Sequence, residues 1–366
     1  MKAKPDSRFF DARQRRLRAQ LDTRGLPFLV VTKPANVFYL TGFRGSAGVV
    51  VFGPSDAMLL VDPRYTIQAA EQARGAEVKE VTVGLFHAAG RRLQKLRARR
   101  IGFEDAHLTV GEFRRLRKEG PPDAAWKPAG GVIEDLRVVK DDHEIEQVRS
   151  ACRLTSEAFE EVLPQVRPGV LERDLASELD FRMRRKGADG TAFETIVASG
   201  PRAALPHARP LAKPLKAGEL VIFDLGAILG GYAADMTRTV YLGVPGKRVR
   251  FIYQAVLEAQ QEAIRALHPG MKAGKVDAAA RRGLAAKKLD KFFTHSTGHG
   301  VGIEIHERPS IGKREQSSIS AGSIVTVEPG IYIEGFGGIR IEDTVLVGAA
   351  GVEILTPAAK DRWWLE

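Results

Sequence analysis

Short apolar runs bounded by Gly and Pro alternate with amphipathic stretches over the first third of the chain. PFLVVTKP (27–34), AGVVVFG (47–53) and MLLVD (58–62) have the β-rich, turn-bounded character of strands. Residues 8–22, 65–74 and 89–100 between them carry helical periodicity. This alternation predicts a small α/β domain. It ends near the Pro- and Gly-rich segment PPDAAWKPAGG (121–131), so the expected division is 1–130 and 131–366.

Beyond that loop the pattern changes. A helix is expected from about Asp141 to Leu163, with Asp141 or Asp142 as its N-cap and acidic residues in the first turn. A second, from about Leu171 to Lys186, places Leu171, Leu175, Leu179 and Met183 at i, i+4 spacing and closes at Gly187. Strands are expected at 192–199, 219–225 and 232–242, then helices at 248–267 and 275–289. Strands at 301–306, 324–328, 331–334 and 338–347 follow. Two helices followed by antiparallel-type strands thus occur twice, which predicts a pseudo-symmetric α+β domain.

Composition changes this picture little. A chain of 366 residues, 44% hydrophobic and 28% charged, suits about two ordinary globular domains. No apolar run approaches the ~20 residues that span a bilayer, and the start has no apolar signal region. Cys152, the only cysteine, falls on the apolar face of the Asp141 helix, so it reads as an inert buried thiol in a reducing, cytoplasmic protein.

The formal charge of +11 raises the question of a nucleic-acid partner. Residues 1–140 hold 26 Lys and Arg against 15 Asp and Glu, and the remainder holds 30 of each. The basic runs RRLQKLRARR (91–100) and RRLRK (114–118) lack interleaved stacking aromatics and any Cys/His finger. They read as solvated helix faces, and neither a nucleic-acid nor a membrane partner is expected.

The candidate chemistry lies in the second half. Residues 219–242 read as a β-hairpin around LGG; with Leu229-Gly230 as its turn, Asp224 faces Asp235 directly across the pair. Two carboxylates that close repel unless one is protonated or a cation lies between them. Glu328 stands where Pro329-Gly330 stops a strand, and period-2 alternation in GIRIED puts Arg340 and Glu342 on one face. HSTGHGVGIEIH contains His295, His299 and His306, three of only eight histidines, among glycines that allow close backbone approach. His207 lies in a Pro-rich loop ahead of the hairpin. Four carboxylates and an imidazole form a hard, oxygen-rich donor set that suits Mn²⁺, Co²⁺ or Fe²⁺, with Zn²⁺ also accommodated. Two such ions about 3.5–4 Å apart can hold a hydroxide between them and polarise a carbonyl, so hydrolysis is the natural outcome.

The order Asp224, Asp235, His299, Glu328, Glu342, in FDLGA, YAADMTRT, HSTGHGVGIEIHERP, VTVEPG and GIRIED, resembles the pita-bread metallopeptidases. NVFYLTGFRGSAG, LLVDPRY and IEDLRVVKDDHEIEQVRSA extend the resemblance to nearly the whole chain. It is most similar to Xaa-Pro aminopeptidase and Xaa-Pro dipeptidase (prolidase), and its intact ligand set sets it apart from metal-free creatinase. The resemblance implies a pita-bread catalytic domain behind an N-terminal creatinase-like domain, two divalent ions (Mn²⁺ foremost), and a homodimer acting on proline-containing peptides. Asp224 would chelate one ion, Asp235 and Glu342 would bridge, and His299 and Glu328 would complete the second. His207 and His306 would contact substrate and stabilise the tetrahedral intermediate, with His295 in the substrate pocket. Glu328 would also shuttle a proton, and Arg340 would orient the carboxylates. A non-catalytic peptide-binding relative and an aminopeptidase of other specificity are the alternatives. Arg44 and Arg64 are candidates for holding a dipeptide's terminal carboxylate.

Overall fold

The computed structural model describes residues 7–366; Met1–Asp6, the start of the 1–130 domain, lie outside the described residues. The chain divides into two compact units, Met1–Arg137 and Val138–Glu366. The expected boundary at residue 130 precedes a short helix, Val132–Arg137, that belongs with the first unit. There Arg137 Nη1 donates to Asn36 Oδ1 (2.7 Å) and Arg16 Nη2 donates to Leu136 O (2.8 Å).

The first unit is built on a six-stranded sheet of β1 (Phe28–Val31), β2 (Val49–Phe52), β3 (Ala57–Val61), β4 (Glu77–Glu80), β5 (Arg100–Phe103) and β6 (Ala125–Pro128), in the order β4-β3-β2-β1-β5-β6. The β1–β2 and β2–β3 pairs are antiparallel and the others parallel. β2 and β3 are buried along their whole length, which is why they read as continuous apolar runs without alternation. The expected helix at 89–100 spans Leu85–Lys95 instead. The chain reverses at Arg97 (φ 50°) and enters β5, so the basic run is split between helix and strand.

The second unit opens with helix Asp142–Val162. Its capping box is complete: Glu144 N donates to Asp141 Oδ1 (3.0 Å) and Asp141 N donates to Glu144 Oε2 (3.1 Å). Its buried face includes Val148, Cys152 and Phe159. Helix Glu172–Arg185 follows, then strands β7 (Gly190–Thr191), β8 (Ile196–Ser199), β9 (Leu220–Leu225), β10 (Ala227–Leu229), β11 (Tyr232–Ala233) and β12 (Met236–Leu242). Helices Lys247–Ala266 and Ala273–Ala286 begin the second repetition. They precede β13 (Gly298–Gly300), β14 (Glu307–Ile311), β15 (Ser323–Val327), β16 (Gly330–Ile333), β17 (Gly337–Arg340) and β18 (Asp343–Val347). Each helix pair covers its own core, one around Phe159, Leu179, Val221 and Phe223, the other around Val256, Ala259, Val325 and Val345. Among the described residues no helix is long and apolar enough to cross a membrane.

Three expectations about strands are corrected. The hairpin turn is Gly230-Gly231, not Leu229-Gly230; both glycines have positive φ (62° and 85°), as a two-residue turn of this hand requires. Leu229 therefore pairs with Tyr232, and the register carried into β9 and β12 sets Asp224 opposite Thr237 rather than Asp235. The displacement is by two residues, so Asp235 stays on the same face as a diagonal neighbour. No strand forms at 301–306. β13 ends at Gly300 in a register shift, and the following loop donates from Val301 N to Ile324 O (3.1 Å) and accepts from Ala233 N at Gly302 O (2.8 Å). The expected strand at 338–347 is two: β17 pairs with β16, β18 pairs with β15, and Ile341-Glu342 crosses between the two sheets.

That crossing is fastened by a buried ionic knot. Arg238 Nη1 donates to Glu342 O, and Arg238 Nη2 donates to Asp343 Oδ1 (2.9 Å) and Ala358 O (2.8 Å). Asp343, fully buried, also accepts from Gln260 (2.7 Å), Thr356 (2.9 Å) and Lys360. Burial works against its charge, but Arg238 and Lys360 hold the carboxyl below its ordinary range. Removing one partner of such a network strands the remaining charges in a dry interior. Asp343→Ala is therefore expected to lower the unfolding free energy by about 3–5 kcal/mol, measured by denaturant titration in the presence of chelator. A loss within about 0.5 kcal/mol, the scale of a surface substitution, would show that the knot does not hold the crossing.

Candidate metal centre

Each acidic residue reaches the site because a strand stops or bends beside it. Asp224 lies near the end of β9 behind Val221, Ile222 and Phe223. Asp235 sits in the gap between β11 and β12, where the ladder is interrupted. Gly226 faces that gap, and a Cβ there would overlap the carbonyl oxygen of Ala234. Thr344 Oγ1 donates to Asp235 O (2.8 Å) and fixes the bend. Glu328 follows the last residue of β15, its amide donating to Thr297 O (2.8 Å). Glu342 occupies the crossing between β17 and β18, its amide donating to Thr237 O (3.1 Å).

His299 is the middle residue of β13. A Cβ on Gly298 would overlap Thr326 O, and one on Gly300 would overlap Arg308 O, so both neighbours of His299 must be glycine for the strands to close. His299 Nδ1 lies 3.0 Å from Gly300 O, an acceptor only, so the proton is on Nδ1. Nε2 is left with a lone pair directed at Asp235 Oδ2 and Glu328 Oε1, each at 3.5 Å. Burial lowers the imidazole to about 4 and keeps it neutral.

Arg340 braces the acidic cluster. Its Nη2 donates to Asp224 Oδ2, Nε to Thr237 Oγ1 (3.0 Å), and Nη1 to Tyr332 OH (2.8 Å) and Pro206 O (3.3 Å). Thr237 in turn donates to Glu342 Oε2 (2.7 Å), so one guanidinium orients two carboxylates, one directly and one through a hydroxyl. Because Arg340 donates into the Tyr332 oxygen, the phenol proton points at His295 Nε2 (2.8 Å), and His295 Nδ1 donates to Ser296 O (2.7 Å). Both ring nitrogens of His295 are thus used within the protein. Burial holds this ring neutral too, at about 4.

The expected site residues all line one cavity of about 850 Å³: Asp224, Asp235, His299, Glu328, Glu342, Arg340 and the histidines 207, 295 and 306. His207 and His306 are exposed, and the His306 ring lies 4.3 Å from that of His299. Phe193, Ile196, Pro206 and Ile305 supply an apolar wall. Arg44 and Arg64 lie in the first unit, where Arg64 is paired with Asp62 (2.8 Å). Thr237, Tyr332 and Thr326, whose hydroxyl accepts from His299 N (3.1 Å), are neighbours of the site that the motifs did not single out. Only the correct hairpin register, with Thr237 opposite Asp224, would have pointed to the first of them.

These residues fit a divalent metal centre. Ligand atoms of Asp235, His299 and Glu342 lie within 4.8 Å of one another. Asp224 Oδ1 is buried without a hydrogen-bond partner among the described residues. Burial, reinforced by the neighbouring carboxylates, pushes Asp235 and Glu342 well up, and burial pushes Glu328 to about 8 against the pull of Arg340. An acceptor with no donor and crowded carboxylates that resist ionising are what a bound cation relieves.

Comparison with known proteins agrees with this chemistry. Metallopeptidase family M24 matches residues 146–349, and the creatinase/prolidase N-terminal domain matches residues 13–139. A Xaa-Pro dipeptidase of Pyrococcus furiosus is 35% identical over 93% of this chain and 96% of its own length. The solved structure of a Xaa-Pro dipeptidase from Bacillus anthracis superposes with a TM-score of 0.93 at 37% identity, covering 97% of this chain and all of that one. An X-Pro aminopeptidase from Thermotoga maritima gives 0.89 at 34% identity, covering 95% of this chain and all of that one. The architecture is the two-domain pita-bread fold.

The cluster's electrostatics predict a metal-dependent stability. Added Mn²⁺ at a hundredfold excess over its Kd is expected to stabilise the chelated protein by about 2.7 kcal/mol, read as a rise in Tm. Asp235→Asn, which removes one repelling charge and one ligand, is expected to be at least as stable as wild type in chelator and to lose that rise. A wild-type Tm indifferent to divalent ions would refute the assignment.

Proposed function

Since the chain belongs to metallopeptidase family M24 and carries a creatinase/prolidase N-terminal domain, we propose that it is a metal-dependent exopeptidase that hydrolyses the bond preceding proline. The observation that carries the reading is the convergence of Asp235, His299 and Glu342 within 4.8 Å at a cavity that also exposes two histidines. Asp224 would hold one ion, Asp235 and Glu342 would be shared, and His299 and Glu328 would hold the other. The carboxylate-rich donor set favours Mn²⁺. Such ions supply activated water at neutral pH and Lewis-acid polarisation of the scissile carbonyl.

The protein's own residues do the rest. His207 and His306, exposed beside the cluster, donate to the substrate carbonyl and to the negative charge that develops on its oxygen. The apolar wall of Phe193, Ile196, Pro206 and Ile305 receives the substrate side chains and excludes water from them. A proline nitrogen inside a peptide carries no proton, so its departure as an amine requires one to be delivered. Glu328 takes up the proton that the attacking water gives up and releases it to that nitrogen as the C–N bond breaks. Arg340 keeps Asp224 and, through Thr237, Glu342 aimed into the cavity while remaining outside the reacting atoms. His295, with both nitrogens occupied, shapes the pocket wall with its ring.

The homologous names include both dipeptidases and an aminopeptidase, so the test uses both substrate lengths. Metal-loaded protein is expected to cleave Xaa-Pro dipeptides, Xaa-Pro-Yaa peptides or both, and Asp235→Asn is expected to reduce kcat/KM by at least about 10²-fold. Absence of metal-dependent cleavage of either class would reject the reading. A cytoplasmic location, which the single buried thiol of Cys152 favours, and the homodimer implied by the family resemblance complete it. Sedimentation at about twice the 40.0 kDa chain mass is expected.

A further inference from the structure

Glu172 is fully buried at the start of helix Glu172–Arg185, outside the cavity lining, yet it gathers an unusual number of donors. Its Oε1 accepts from Ser199 N (2.8 Å) and Ser199 Oγ (2.8 Å). Its Oε2 accepts from Leu211 N (3.1 Å) and from Arg202 Nη1. Ser199 and Arg202 lie on the entry arm of the loop that carries His207, and Leu211 lies on its exit arm. The carboxylate therefore ties the two arms together.

The helix reinforces the tie with its own backbone. Glu172 N donates to Lys213 O (3.0 Å) and Arg173 N to Leu211 O (3.1 Å), so the loop's carbonyls satisfy amides that a helix start leaves open. Arg202, held by Glu172, reaches on to Arg209 O (2.6 Å), two residues past His207. Lys213 Nζ donates to Ser199 Oγ (2.7 Å) and to Glu219 Oε2 (2.8 Å), closing the base of the loop. At the tip, Pro206 O accepts from Arg340 Nη1 (3.3 Å), the same guanidinium that holds Asp224.

The His207 ring, by contrast, is exposed and has no hydrogen bond among the described residues. Nothing at the ring itself fixes its position. Only the backbone beneath it does, and that backbone is fastened through Glu172.

We infer that Glu172 is a positioning residue for catalysis: it clamps the loop from Gly200 to Lys213 and so sets where His207 stands over the metal-binding cluster. A hydrophobic residue there would leave Arg202 and the Ser199 and Leu211 amides without their common acceptor, while glutamine would keep one acceptor oxygen and set an NH2 against the donors at the other, so the arms would no longer be tied together. The inference rests on the peptidase reading for its kinetic readout, and it has a second readout that does not.

The experiment is a double-mutant cycle on metal-loaded protein with a Xaa-Pro peptide, using Glu172→Gln, His207→Ala and the pair, with metal content measured for each. Glu172→Gln is expected to lower kcat/KM by about tenfold or more, the scale of a misplaced catalytic group, with metal content unchanged. In the His207→Ala background it is expected to cost less than about twofold, because it acts through His207. Equal losses in both backgrounds, or a His207→Ala variant as active as wild type, would overturn the inference. Arg202→Ala, at a half-exposed position, repeats the cycle if Glu172→Gln does not fold. Independently of activity, hydrogen exchange in Glu172→Gln should quicken within 199–213 and at the 172–173 amides bonded to it, and not elsewhere; unchanged exchange in 199–213 would also overturn it. If wild-type protein cleaves neither Xaa-Pro substrate class, the peptidase reading falls, while the exchange result still decides the clamp.

Discussion

Four carboxylates crowded around one cavity are the constraint on which the second unit is organised. Asp224, Asp235, Glu328 and Glu342 come from four chain segments, and burial makes the charges of Asp235, Glu328 and Glu342 costly. The fold does not answer that cost with one salt bridge per carboxylate. It supplies a single arginine, Arg340, and a relay through Thr237, and leaves Asp224 Oδ1 and the His299 Nε2 lone pair directed inward. The deficit is local and specific: it is matched by divalent cations rather than by further protein donors. Family membership and donor chemistry therefore point to the same cofactor class from independent directions.

The scaffold that enforces this crowding uses interrupted strands. A continuous strand presents side chains alternately to two faces, which limits how many ligands it can aim at one point. Here the ladder breaks at Ala234-Asp235, the bulge falls after His299, and the chain changes sheets at Ile341-Glu342. Each break frees one side chain to turn toward the cavity, and each is held by bonds from outside its own ladder. The Arg238–Asp343 knot is the most deeply buried of these, and it fixes the backbone carbonyl of Glu342 itself. Stability and function are coupled at that point, since the residue next to the ligand is the hub of the buried ionic network.

The histidines divide by the same logic. His299 and His295 are half-buried, neutral and oriented by a backbone carbonyl on Nδ1, but their second nitrogens differ in fate. Nε2 of His299 faces carboxylate oxygens, whereas Nε2 of His295 ends a directed chain that begins at Arg340. His207 and His306 are exposed on the cavity rim and free to meet a substrate. Identical residue types in one short motif thus present different groups to the cavity, a lone pair at His299, a ring with both nitrogens bonded at His295 and an exposed ring at His306.

Much of this was legible in the residues. The apolar runs marked β1, β2 and β3, an acidic N-cap at Asp141 or Asp142 marked the start of the second unit's first helix, and the repeated helix-pair pattern marked its two halves. The carboxylates and histidines that line one cavity and the glycines flanking His299 were readable because each is a residue type demanded by local chemistry. Register and crossing were read less well. A turn at Leu229-Gly230 would put a leucine where a two-residue turn takes positive φ, so Gly230-Gly231 forms instead, and this moves Asp224 from facing Asp235 to facing Thr237. GGIRIEDTV reads as one alternating strand, and only packing between two sheets decides that it breaks before Glu342. The tie from Glu172 to the His207 loop spans about 30 residues of sequence and has no local periodicity at all. Local composition determined which groups the chain would bring to a site. Which of them meet, and which are held apart or clamped, depended on long-range hydrogen bonds whose partners are neighbours only in the folded chain.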